Sequence, residues 1–240
     1  MIDGINILTI TLYGFVVGVV GTGLGGLISI FIKGTNKILS FLLGLTGGFM
    51  MFIVSFHLLP ESFALGGLYI TIFGIILGII LVILLEINMK NISKDPFVKS
   101  GLLLGLSIAV HNFPEGLALG SSFLTMSNLG PTLALAMLLH NIPEGLSMSI
   151  PLKVNKSKYT HIIFYSGLAG IPTGIGAFMG AYIGNISNSL IALCLSFAGG
   201  TMLYIISDDI IPNAKKIYHG RTSSLGIVLG FIIGIILYFK

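Results

Sequence analysis

The sequence predicts an all-α polytopic membrane protein with eight transmembrane helices in a 3+2+3 arrangement, the outer triplets forming inverted three-helix repeats. Three observations predict this. Of 240 residues, 55% are hydrophobic and only 8% are Asp, Glu, Lys or Arg, against ~25% charged in soluble domains. Apolar runs of about 20 residues, the length that crosses a bilayer, recur eight times along the chain. The second and seventh runs match each other at an offset of 152 residues. So few charges cannot cover a soluble fold of this size. Disorder, nucleic-acid binding and disulfide scaffolding are excluded together, the last also because Cys194 is the sole cysteine. The lipid bilayer is the first partner implied.

The spans are read at 5–32, 38–63, 66–87, 101–123, 131–152, 162–183, 190–211 and 222–239. The first lacks a basic leader and a small-residue cleavage site, so it is expected to be a span and not a signal peptide. The second carries Gly47-Gly48 and then Met50-Met51. The fourth and fifth hold one His-Asn-x-Pro-Glu-Gly run each. The sixth shares a Thr-Gly-aliphatic-Gly run with the first, at 173–176 and 22–25. The seventh repeats the second, and the eighth repeats the third. The chain is then one transmembrane domain, 1–240, made of repeat one (5–88), a central helix pair (100–152) and repeat two (160–240).

Orientation follows from the cations. Lys33 and Lys37 lie between spans one and two, and Lys90, Lys94 and Lys99 between three and four. Lys153, Lys156 and Lys158 lie between five and six, and Lys215, Lys216 and Arg221 between seven and eight. These alternate connections carry all the cations except Lys240. The positive-inside rule makes that face cytoplasmic. Both termini are then extracytoplasmic, in a cell (inner or plasma) membrane.

The repeat runs through two spans at one offset. Gly47-Gly48-Phe49-Met50-Met51 faces Gly199-Gly200-Thr201-Met202-Leu203, and both runs lead to a proline, Pro60 or Pro212. Gly74–Gly78 faces Gly226–Gly230 at the same offset. Five crossings separate spans two and seven, so the copies run in opposite directions. Inverted repeats are a transporter signature, with the site near midplane.

The chemistry lies in the central pair. His111-Asn112-Phe113-Pro114-Glu115 and His140-Asn141-Ile142-Pro143-Glu144 each place His and Glu at i, i+4, on one helical face. Each proline frees the carbonyl four residues back, Val110 or Leu139. Both motifs fall near mid-depth, where an unpaired charge costs ~2.5–3.5 kcal/mol on insertion scales. No Lys or Arg lies nearby in the sequence to pair with Glu115 or Glu144. Carboxylates, imidazoles and amides without a counter-charge describe a divalent-cation site suited to Zn, Fe, Mn or Co, and to Cu if present. His57 and Glu61 repeat the i, i+4 spacing around Pro60 near the outer end of span two, as a candidate entrance. Asp208 and Asp209, near the cytoplasmic end of span seven, form a candidate exit.

The two motifs resemble those of the ZIP zinc/iron-type metal transporters, especially the bacterial and archaeal branch. The resemblance covers nearly the whole chain and is most specific in spans four and five. It implies import of zinc, with iron, manganese, cobalt or cadmium as further substrates, into the cytoplasm through a site on spans two, four and five. It assigns metal ligands to His111, Glu115, His140 and Glu144, with the glutamates bridging and Asn112 and Asn141 beside a second metal. A span-two methionine completes such a site, and both Met50 and Met51 are candidates. An acid near the exit, as at Asp208 and Asp209, also fits the family. This chain departs from the pattern at Ile171, where many members carry a glutamate before the span-six proline. The segment 88–99 contains no His, so no metal-capturing loop is expected. The transported ion is the only metal implied, and a second copy of the chain is the protein partner left open. The competing reading is an intramembrane zinc-dependent hydrolase. The absence of an HExxH run speaks against that reading and for a non-enzyme.

Overall fold

The computed structural model describes residues 6–33, 35–89, 112–125, 129–154 and 156–238, and every regular element among them is helical. His111, the Val110 carbonyl, the first part of span four and Lys90, Lys94 and Lys99 lie outside the described residues.

The chain opens with α1 (Ile7–Phe15), a π-helical turn at Val16–Val20 and α2 (Gly21–Ser29). Asn6 starts it by accepting from the Thr9 N–H through its side chain, satisfying one of the unpaired donors of a helix start. Thr35 caps α3 (Asn36–Ile53) in the same way, with its hydroxyl accepting from the Ile38 N–H. After a π turn at Val54–Leu58 comes α4 (Leu59–Met89), which bends sharply at Gly67. The bend has φ 69° and ψ −178°, backbone that favours glycine. Ser62 and Thr71 flank the bend with hydroxyls 3.0 Å apart, whereas nine residues of straight helix would separate them by about 13 Å. The chain therefore folds back there, at the boundary expected between spans two and three.

The next elements are α5 (112–122), α6 (Leu129–Val154), α7 (Tyr159–Ala169) and α8 (Ile171–Gly184). Then come α9 (Asn188–Ile205), a π turn at Ile206–Ile210, α10 (Ile211–Ile217) and α11 (Thr222–Tyr238). Two spans carry local detail beyond their expected bounds. Span six is two helices, broken at Gly170 beside Pro172, because Pro172 has no N–H to continue the ladder. Span seven is longer than read, running helically from Asn188 to Ile217. Pro212 does not end it, because the π turn just upstream absorbs the missing hydrogen bond.

Among the described residues, five helical stretches are long and apolar enough to cross a membrane: Ile7–Ser29, Asn36–Leu85, Leu129–Ile150, Tyr159–Gly184 and Asn188–Ile217. The second is 50 residues long, more than twice a crossing, and is folded in two at Gly67. Thr222–Leu237 is a shorter apolar helix. Large apolar side chains such as Phe73, Ile76, Leu225 and Val228 are exposed on the outside, the surface of a protein solvated by lipid. The chain is thus a multi-pass membrane protein.

The helices pack in two groups. In one, α3 lies along α11 and α4 along α9; in the other, α1 and α2 lie along α6, α7 and α8. The main join between the groups is α3 against α6, with Phe49, Met50, Ile53, Leu133, Met137 and Met202 in the shared core. Contacts recur at the offset seen in the sequence. A Cβ on Gly48 would collide with the Ile227 carbonyl, and a Cβ on Gly200 with the Ile75 carbonyl. Both partners of the second pair lie 152 residues from their counterparts, as do the π turns at Val54–Leu58 and Ile206–Ile210.

Candidate metal centre

The site is built by α5 and α6. Both helices run through their prolines, Pro114 and Pro143, without interruption. They bring Glu115, His140 and Glu144 together, with one ligand atom from each lying within 4.8 Å of the others. Glu115 and His140 are buried and Glu144 is partly buried. The His140 Nε2 lies 3.0 Å from Glu115 Oε1, and its Nδ1 lies 3.3 Å from the Ala136 carbonyl oxygen. A carbonyl can only accept, so Nδ1 carries the proton and donates. With the ring neutral in that tautomer, the Nε2 lone pair faces the Glu115 carboxylate oxygen, a pair that a shared proton or a metal ion would bridge. Two atoms each ~2.0–2.2 Å from one tetrahedral zinc ion lie ~3.3–3.6 Å apart, so this pair would open by a few tenths of an ångström to hold one. The ring is further held by Phe49 from α3, stacked at a centroid distance of 5.8 Å.

Four more buried acceptors close on this cluster or its motifs without a hydrogen-bond partner: Glu115 Oε2, Glu144 Oε2, Asn112 Oδ1 and Asn141 Oδ1. An unsatisfied buried acceptor costs ~1–3 kcal/mol, more for a charged group, and a divalent ion would satisfy several at once. Both asparagines are fully buried. Asn112 donates through Nδ2 to the Ala169 carbonyl at 2.6 Å, and Asn141 donates to the Val17 carbonyl at 3.3 Å. The described residues therefore offer imidazole, carboxylate and amide oxygen, a donor set matched to a borderline transition-metal ion.

The remaining predicted residues form three pairs. Met50 is 1% exposed and Met51 is half-buried against the same core; the α3 side chain stacked on His140 is Phe49. Phe49 was missed in the sequence because a phenyl ring carries no ligand signal, although it directly follows the Gly-Gly pair that recurs at Gly199-Gly200. His57 and Glu61 lie apart from the Glu115–His140–Glu144 cluster; His57 is buried, with its ring edge-on to Phe52. Asp208 is exposed and accepts from the Tyr204 hydroxyl at 3.4 Å, while Asp209 accepts from Asn213 Nδ2. His57 and Asp209 occupy matching places in the two π turns, 152 residues apart.

Fold and site together define a polytopic helical membrane protein with a carboxylate–imidazole cluster buried in its helix bundle. The family model described as ZIP Zinc transporter matches residues 97–238. The chain is 32% identical over 243 residues to Zinc transporter ZupT of Akkermansia muciniphila, covering 88% of this chain and 90% of that protein. It is 30% identical over 253 residues to Zinc transporter ZupT of Clostridium perfringens, covering 88% and 89%. It is 37% identical over 139 residues to Zinc transporter GufA of Myxococcus xanthus, covering 58% and 55%. The chain belongs to the ZIP zinc transporter family. Membership in a transporter family sets the hydrolase reading aside.

Proposed function

We propose that this protein imports zinc into the cytoplasm through a site centred on Glu115, His140 and Glu144, with the motif residue His111 as a fourth ligand. The observation that carries the reading is the clustering of these ligand atoms within 4.8 Å beside buried, unpartnered oxygens. Iron, manganese, cobalt and cadmium have compatible ligand chemistry and are further candidate substrates. Two carboxylates bring enough negative charge to offset a divalent ion at a depth where a lone charge is costly.

Eight spans, with repeat one at 5–88, a central pair at 100–152 and repeat two at 160–240, form the proposed architecture. The matched glycine–carbonyl pairs and the matched π turns support the repeat. The alternating lysines support a cytoplasmic face at the connection that holds Lys153, with both termini extracytoplasmic. His57 with Glu61, and Asp208 with Asp209, are proposed as the outer and inner ends of the route. Met50 or Met51 is proposed as a sulfur ligand from α3. Ile171, half-buried at the break in span six, supplies no donor where many members carry a glutamate. One ion is therefore held strongly, and a second weakly or not at all.

The test is uptake of radioactive zinc into sealed liposomes by the Glu115→Gln, Glu144→Gln double variant. Uptake should vanish while membrane insertion is retained. Undiminished uptake would sink the assignment, and two fully occupied ions in a metal-saturated structure would overturn the single-ion reading.

A further inference from the structure

The two motif asparagines each keep a buried oxygen without a hydrogen-bond partner, and their NH2 groups reach to a neighbouring helix. Asn112 Nδ2 donates to the Ala169 carbonyl at 2.6 Å, and Asn141 Nδ2 donates to the Val17 carbonyl at 3.3 Å. Both acceptors sit where a helix is irregular. Ala169 ends α7 at the Gly170 break, where the Thr173 N–H turns to the Gly170 carbonyl instead of continuing the ladder to Ala169. Val17 lies in the π turn between α1 and α2. The Val17 carbonyl also accepts from the Gly21 N–H, so Asn141 adds a second bond there, whereas at the Gly170 break Asn112 meets a carbonyl from which the Thr173 N–H has turned away. The two bonds are related as the repeats are: the donors lie 29 residues apart in matching motifs, and the acceptors lie 152 residues apart. The backbones flanking the bonds also approach closely in matched fashion, with Gly116 against the Thr173 carbonyl and Gly145 against the Thr22 carbonyl.

We propose that Asn112 and Asn141 are positioning residues as well as neighbours of the ion. Their amide N–H groups tie the central pair to the breaks in spans six and one, and thereby fix the direction in which each Oδ1 faces the metal. The same amide does both jobs, because donating outward through Nδ2 leaves Oδ1 pointing the other way. Replacing the amide therefore releases a helix break even when no ion is bound. The proposal rests on the zinc-site reading only for the ion; the ties themselves belong to the metal-free protein.

The experiment uses the full chain, purified and stripped of metal with a chelator. Deuterium exchange is followed in Asn112→Leu, Asn141→Leu and, as a control for ligand loss, Glu144→Gln. Asn112→Leu should speed exchange several-fold around 167–173, Asn141→Leu around 16–22, and Glu144→Gln in neither segment. Should the leucine variants fail to insert, Asn112→Ala and Asn141→Ala serve under the same reading. Wild-type exchange in both segments, or equal acceleration in every helix, overturns the ties. Cobalt then probes the aim of the oxygens through its visible d–d bands. The asparagine variants should shift these bands, while Lys153→Met, which loosens spans one and five at their far end, should leave them unchanged. Unshifted bands in the asparagine variants overturn the positioning role. Because exchange is read without metal, a protein that fails to bind zinc at all would fail in the cobalt arm alone.

Discussion

The two helix groups of this molecule are held together differently. The group of α3, α4, α9 and α11 is closed mainly by bare glycines laid on carbonyls, Gly48 on Ile227 and Gly200 on Ile75, with a buried side-chain tie between helices where the Ser62 hydroxyl donates to the Ala192 carbonyl at 2.8 Å. The group of α1, α2 and α5–α8 also uses close glycines but adds directed polar ties. Asn112 and Asn141 bind the breaks in neighbouring helices. Lys153 places its ammonium on the carbonyls of Ser29, Ile30 and Ile32 at 3.1, 2.6 and 2.9 Å. In lipid, packing by small residues gives rigid association without specifying chemistry. Polar ties are retained where irregular backbone and buried donors must be satisfied together. The first group is therefore a frame, and the second carries the site.

The largest effect expected is on the frame. Gly48→Leu with Gly200→Leu forces two side chains into backbone carbonyls, where overpacking costs ~1–3 kcal/mol per site or more. Folded protein should be lost with or without zinc, read as the monodisperse fraction after detergent extraction. A normal yield would show that the contacts at Ile227 and Ile75 can give way and that the frame is softer than the site-bearing group.

Next comes the site. Glu115→Gln should leave metal-free stability close to that of the unaltered protein, because the shape is kept. It should abolish the zinc-dependent stabilisation, which for a saturating ligand at 100 times its Kd is ~2.7 kcal/mol. Thermal unfolding with and without zinc measures both. A retained zinc shift would place the ion elsewhere.

Protons should compete with the metal. Only neutral imidazole binds zinc, and free histidine titrates near ~6.5. Lowering pH protonates the ligand and weakens binding, by up to about tenfold per pH unit for each proton displaced. Raising pH strengthens it until the imidazole is fully neutral. Zinc titration by calorimetry in buffers of differing ionisation heat should report proton release on binding; none released would remove His140 from the ligand set.

The smallest effect concerns the far end of the site-bearing group. Lys153→Met removes the cap on the last carbonyls of α2, worth about 1 kcal/mol of stability. The midpoint of metal-free unfolding should fall slightly while the zinc-induced shift is unchanged. A changed zinc shift would mean that the tie reaches the site.

Much of this molecule was written in local sequence. Apolar runs of bilayer length set the spans, and the boundary between spans two and three falls where Gly67 takes positive φ. The i, i+4 spacing put His140 and Glu144 on one face, and Glu115 of the other motif lies beside them in the structure. The offset of 152 residues recurs in contacts between helices. These features are legible because helical period, bilayer thickness and the cost of an unpaired intramembrane charge act on short stretches of chain.

What only the tertiary structure decided concerns groups without a sequence signal of their own. The Ala136 carbonyl that holds His140 and the Phe49 ring stacked on it come from generic residues, chosen by helix packing. The break at Gly170 and the π turns at Val54–Leu58 and Ile206–Ile210 are not announced by proline alone, since α6 runs through Pro143 without either. The asparagine side chains could have turned their amides either way, and the carbonyls of Ala169 and Val17, more than fifty residues distant in sequence, select the direction. A side chain's type is local information; the partner that orients it is supplied by the fold, since only burial next to an unsatisfied carbonyl makes one rotamer lower in free energy than the rest.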